Sequence, residues 1–121
     1  MLVKKISDNH ENISALTKCT NKNIGTHKLL ENNEFTIWQI HLEPGEELPP
    51  HLHDKPYFWT VLTDGYARAL YDDGSVIEVE YKKGDTKYFP DLTSKKKFIH
   101  SLINQGQSPL VFVTVEFHSV R

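Results

Sequence analysis

This sequence predicts an all-β domain, an antiparallel double-sheet sandwich or barrel. Three observations carry that prediction. Short runs rich in Val, Ile, Thr, Phe, Tyr and Trp, which suit a pleated half-buried surface, recur from about residue 24 onward. Turn signals separate them at Pro44-Gly45, Asp64-Gly65, Asp72-Asp73-Gly74 and Lys83-Gly84-Asp85. No helical pattern interrupts the series, as it would in a sheet of parallel strands. At 121 residues the chain has the length of one domain with a real core, and it shows no internal repeat, low-complexity tract or linker.

Taken in order, residues 1–23 read as a short N-terminal extension. A weak helix is expected over residues 5–18, capped by Asp8 or Asn9, with Ile13 and Leu16 as its apolar stripe. The β domain then occupies residues 24–121. Its first clear strand is Phe35–Leu42, where Trp38, Ile40 and Leu42 make the buried set and His41 faces the other side. A strand carrying His51 and His53 begins at Pro49-Pro50, whose missing ladder donors favour an edge or rim position. Residues 57–63, 66–71 and 76–81 follow, punctuated by Asp-Gly turns of the kind that close hairpins. Residues 86–89 make a short strand, and residues 110–120 the last long one, entered through Gln107-Ser108-Pro109.

Composition narrows the function classes. Hydrophobic residues at 38% and charged residues at 25% are ordinary for a soluble globular protein. A formal charge of −2 gives no broad attraction to nucleic acid or to an anionic membrane. The one basic run, Lys95-Lys96-Lys97, reads as a solvated turn or as a loop that attracts an acidic substrate. Cys19 is alone, which excludes an internal disulfide and fits a packed thiol in a reducing compartment. The N-terminus lacks the apolar run of a signal peptide, and nothing approaches the roughly 20 apolar residues of a membrane span. A cytoplasmic protein is the expectation.

Chemistry concentrates at His51-Leu52-His53 and His100. Side chains at i and i+2 of a strand share one face, about 7 Å apart along the chain. Two imidazoles so placed converge on one ion if a third arrives from another strand, and a three-ligand set leaves coordination positions open for substrate. The competing reading is two solvent-facing polar residues on an edge strand.

The spacing around these histidines resembles a known family. Gly45, five residues, His51, one residue, His53 and then Gly65 is similar to the first motif of the cupins. Gly84, five residues, Pro90, and later His100, three residues, Asn104 is similar to the second. The resemblance spans residues 45–104 and implies a double-sheet jelly-roll barrel with a metal in its mouth, held by His51, His53 and His100. Two departures stand out. Tyr57 and Phe58 occupy the positions where the first motif usually places a glutamate, and the stretch from Pro90 to His100 is long and lacks the usual glycine. Three neutral imidazoles leave a divalent ion its full double charge, which favours an anionic or enolisable substrate and acidifies bound water. The resemblance to three-histidine iron cupins implies an oxygenase. Small cupins named β-alanine degradation proteins are closer in motif: they share the tyrosine four residues after His-x-His, a turn like Leu62-Thr63-Asp64-Gly65, and a run like Val111-Phe112-Val113 leading to Glu116.

Around that centre Tyr57 is expected either to orient substrate or simply to pack. Glu116 is a general-base or substrate-contact candidate if Phe112, Thr114, Glu116 and His118 face inward, and an ordinary surface carboxylate if they face outward. His118 and Asn104 are candidates to support a ligating imidazole, or in the case of Asn104 to stabilise a turn. His10, His27 and His41 are not expected to be ligands. Trp38, Trp59, Phe89 and Phe98 are expected in the core or the pocket wall. The function read from these residues is a metal-dependent enzyme, a three-histidine Fe(II)-type dioxygenase for a small organic acid or carbonyl compound, with Zn, Ni or Mn as other metals the ligands suit. A metal-dependent isomerase or lyase and a non-enzymatic small-molecule-binding module are the alternatives. A small-molecule substrate, no nucleic acid, no membrane and a homodimer paired through sheets and the apolar run at residues 110–117 complete the expectation.

Overall fold

The computed structural model describes residues 1–118. In chain order the elements are β1 (Leu2–Ser7), α1 (Ile13–Thr17), β2 (His27–Glu31), β3 (Phe35–Leu42), β4 (Glu47–His53) and β5 (Tyr57–Val61). They continue with β6 (Gly65–Tyr71), β7 (Val76–Tyr81), β8 (Thr86–Phe89), β9 (Phe98–Asn104) and β10 (Leu110–Phe117). The strands form two five-stranded antiparallel sheets, ordered β1-β7-β6-β9-β4 and β2-β3-β10-β5-β8. The double-sheet, all-β architecture read from the strand and turn pattern is therefore the observed one. The expected end of the last strand, Val120, lies outside the described residues.

Alternation decides what the two sheets enclose. On β10, Leu110, Phe112, Thr114 and Glu116 are buried, while Val111, Val113, Val115 and Phe117 are only half-buried. The same period brings Ile40, Leu42, Leu48, Val61, Ala67, Leu102, Leu110 and Phe112 into one core cluster. Burying each large aliphatic side chain there contributes roughly 2 kcal/mol. The hairpin from β6 to β7 turns at Gly74, whose φ of 96° and close approach to the Asp8 carbonyl both exclude a side chain.

The N-terminal residues depart from the expected helix. Leu2–Ser7 pairs with β7 as the edge strand of the first sheet, because that edge otherwise leaves a row of backbone donors and acceptors unpaired. The helix is only Ile13–Thr17, and it follows Asn12 rather than Asp8 or Asn9, with no side-chain cap bond. So short a helix is held by packing: Leu16 meets Leu52 and Ile99, with Cys19 alongside. The chain after it runs along β4, where the Asn21 carbonyl accepts from the Leu52 N–H at 2.7 Å and the Pro50 carbonyl accepts from the Cys19 thiol at 3.3 Å. Residues 1–23 thus complete one edge of the sheet and cover the other.

β10 lies between β3 and β5 in the middle of its sheet, so it offers a partner its outer face and no edge. Among the described residues no helix is long and apolar enough to cross a membrane.

Candidate metal centre

β4 is an edge strand, as Pro49-Pro50 predicts, and its register against β9 slips across those prolines. Beyond the slip, His51 sits directly opposite His100, and His53 opposite Phe98. All three imidazoles point into the barrel. Their ring centroids lie 4.6 to 5.1 Å apart, and one ligand nitrogen from each falls within 4.8 Å of the others. His51 and His53 are 1% and 2% exposed.

The nitrogens are arranged as a donor set. His51 donates its Nδ1–H to the Pro49 carbonyl at 2.8 Å, which leaves its Nε2 with a lone pair. The Nε2 atoms of His53 and His100 approach to 3.2 Å. Two nitrogens bound to one ion at about 2.1 Å each stand about 3.0 to 3.4 Å apart, so the separation fits a shared metal. The Nδ1 atoms of His53 and His100 are enclosed and have no hydrogen-bond partner. Burial also keeps the rings neutral. It lowers His51 to about 4, against the pull of the Pro49 hydrogen bond. It drives His53 and His100 well below the usual histidine range, with the neighbouring histidines adding to the fall. Three unprotonated imidazoles held together in an apolar wall suit a divalent cation. No carboxylate joins them among the described residues.

A cavity of about 40 Å³ opens in front of the three rings, walled by Ile24, Ile40, Trp59, Phe112 and Thr114 among others. A second, of about 80 Å³, adjoins it and shares Tyr57, Trp59, Tyr81, His100 and Leu102.

Solved structures with the same arrangement of strands decide the fold. A cupin domain from Bordetella pertussis Tohama I superposes with a TM-score of 0.66 at 23% identity, over 82% of this chain and 96% of that one. This is the cupin fold. An uncharacterised conserved protein with a double-stranded β-helix domain from Klebsiella pneumoniae gives a TM-score of 0.59 at 25% identity, over 87% of this chain and 85% of its own. A sugar phosphate isomerase from a cupin superfamily, from Silicibacter pomeroyi, gives 0.50 at 25% identity, with 71% of this chain covering 52% of that protein. No protein-family model matches the sequence, and no curated protein matches it.

Within the cupin barrel the other predicted residues fall as follows. Tyr57 is buried and stacks on His53, centroids 4.0 Å apart, with Phe89 stacked on its other face at 4.7 Å. Burial raises its phenol well above the usual tyrosine range, and nearby Tyr71 and Tyr81 raise it further. Glu116 faces inward and is 7% exposed, cross-strand from Tyr57. It lines neither cavity, since Thr114 occupies the wall on β10. Burial raises the Glu116 carboxyl, opposed by Lys55 and His118.

His118 pairs with the Thr36 hydroxyl at 2.7 Å and bonds to none of the three rings. Asn104 binds the Leu42 and Ser108 carbonyls and accepts from the Gly106 N–H, so it ties a turn to the barrel and supports no ligand. His41 is exposed beside Glu43, and His10 anchors to the Tyr71 carbonyl. Trp59 and Phe89 form cavity wall, and Phe98 packs on His53 and His100. Residues 95–97 follow Thr93, whose hydroxyl accepts from the Lys95 and Lys96 amides, and all three lysines are exposed.

Sequence reasoning missed Tyr71, Tyr81 and Thr114. Tyr71 is opposite His100 across the β6–β9 ladder, and its ring lies 5.0 Å from that imidazole. The signal was present in the alternation Ala67, Ala69, Tyr71 and Ile77, Val79, Tyr81, where apolar residues end in a phenol. Nothing local fixed which face pointed inward.

Proposed function

We propose that this chain is a metal-dependent enzyme of the cupin fold, a three-histidine Fe(II)-type dioxygenase for a small organic acid or carbonyl compound. The observation that carries the reading is the cluster of neutral imidazoles, His51 and His53 buried and His100 half-buried, with two Nε2 atoms at 3.2 Å and the His51 Nδ1–H held by the Pro49 carbonyl so that its Nε2 is free as the third donor. Bound iron would supply Lewis acidity toward substrate oxygens and the binding of O2. The chain supplies the rest. His51, His53 and His100 hold the ion without offsetting its charge, which favours an anionic ligand. Ile24, Ile40, Leu102 and Phe112 keep the small cavity apolar, which strengthens every charge interaction inside it. Tyr57, fixed between His53 and Phe89, donates a hydrogen bond to substrate. Glu116 acts from behind Tyr57 as a group that holds a proton readily, a positioning role given that it lines neither cavity.

The deciding experiment is metal content by plasma mass spectrometry on the wild type, His51→Ala and His100→Ala, followed by oxygen uptake with a panel of small acids and carbonyls. Near-stoichiometric iron lost in both variants, with substrate-dependent oxygen uptake, is the expected result. Turnover without oxygen would turn the reading to a metal-dependent isomerase, which the likeness to the Silicibacter pomeroyi isomerase favours as second choice. Wild-type protein that takes up no metal would overturn both and leave a small-molecule-binding module.

The outer face of the second sheet presents Phe35, Ile37, Phe58, Val113, Val115 and Phe117, all half-buried. We place the homodimer contact there, because a two-fold pairing covers an apolar strip with its own copy.

A further inference from the structure

The larger cavity beside the histidines carries chemistry that metal binding leaves unused. Tyr57, Tyr71 and Tyr81, from β5, β6 and β7, all line it together with His100. Their hydroxyls make no hydrogen bond among the described residues. The fully enclosed polar atoms without partners are Trp38 Nε1, His53 Nδ1, His100 Nδ1 and Thr114 Oγ1, and no phenol is among them. None of the three hydroxyls is therefore sealed off, and all three residues line the same cavity. A phenol O–H is a donor that no side chain here engages, and three of them around a single space suit a ligand that brings acceptor oxygens.

The lining decides the ligand's charge. A phenol stays protonated at neutral pH and is a donor there. No carboxylate lines the cavity, and Lys87 stands at its rim with Nζ 5.0 Å over the Phe89 ring. Aromatic walls alone would also suit an organic cation, but the lysine and the absent carboxylate oppose one. At about 80 Å³ the cavity lies well below the roughly 300 Å³ at which pockets for drug-sized ligands begin, so it suits a compact acid.

We propose that Tyr57, Tyr71 and Tyr81 form an oxyanion subsite that holds the carboxylate of a two- or three-carbon acid beside His100. The catalytic meaning of this subsite rests on the metal-enzyme reading above; its binding does not. Tyr71 and Tyr81 then select substrate by their hydroxyl groups, and the small side chain of Ala69 keeps β6 slim enough to leave the space.

The test titrates acetate, propionate and uncharged acetamide into the zinc-loaded full chain by calorimetry, with metal content measured on the same samples. Both acids bind, acetamide binds at least tenfold more weakly, and Tyr71→Phe and Tyr81→Phe each weaken the acids about tenfold. Metal content and melting temperature stay at wild-type values in both variants. A near-ultraviolet difference spectrum of the wild type on adding propionate shows a tyrosine perturbation and needs no variant. Metal-loaded protein that binds neither acid, or variants that bind as the wild type does, overturns the subsite and leaves the metal centre standing. Tyrosine-dependent binding by protein that takes up no metal sinks the enzyme reading and sustains the subsite.

Discussion

At one end of the barrel interior Leu42, Val61 and Leu110 meet between the sheets with at most 2% of their surface exposed, and at the other His51 and His53 are buried just as deeply. The alternation that buries them is the same. The free energy is not. The aliphatic end gains from every group it removes from water, whereas the histidine end forfeits hydration of three imidazoles and leaves two Nδ1 atoms without partners. A fold gains no stability from such a cluster, so its presence marks a site with another use. The comparison also separates residues that look alike in sequence: Asn104 is as buried as His51, yet every polar atom of its side chain is bonded, and it is structural.

Substitutions that exchange the two characters have the largest expected effects. His51→Leu is expected to abolish metal binding while leaving the metal-free melting temperature equal or higher, since it removes a desolvated polar ring. Metal content beside thermal melts checks it, and a large loss of metal-free stability would mean that the histidines are structural. Leu110→Ala is expected to do the reverse, costing about 3 kcal/mol in denaturant unfolding with metal stoichiometry retained.

pH sharpens the contrast because only one end titrates. In metal-stripped protein His51 is neutral down to about 4, whereas the unfolded chain protonates it below its ordinary value of 6.5. The unfolded state then binds more protons, so stability falls as pH drops from 6.5 toward 4, with His51 alone contributing up to about 3 kcal/mol. Denaturant midpoints across that range should decline, and the decline should be shallower in His51→Leu; parallel profiles would refute the assignment. Asn104→Ala is expected to cost about 2 kcal/mol and spare metal content, because its partners are turn carbonyls and an amide rather than a ligand. The smallest expected effect is on the outside of the barrel. Light scattering at micromolar concentration should show a dimer that Val115→Glu converts to a monomer, with metal content unchanged.

Much of this molecule can be read from the chain because β structure writes its period into neighbouring residues. The strand from Phe35 to Leu42, the turns at Gly45, Gly74 and Gly84, and the edge position of β4 after Pro49-Pro50 all follow from local chemistry. So does the histidine set, since i and i+2 on a strand must share a face. The N-terminal segment was not legible: Leu2–Ser7 carries a mixed pattern, and only the unpaired edge of β7, more than 60 residues away in the chain, makes it a strand.

By itself, then, the sequence determined a double-sheet β domain with His51, His53 and His100 as its metal-ligand candidates. Tertiary structure alone decided the parity of Glu116, the encounter of Tyr57, Tyr71 and Tyr81 around one cavity, and the cover that residues 12–24 give to β4. The physical reason is one of range. A period of two fixes which residues share a face, but which face meets the other sheet depends on register between strands that are distant in sequence.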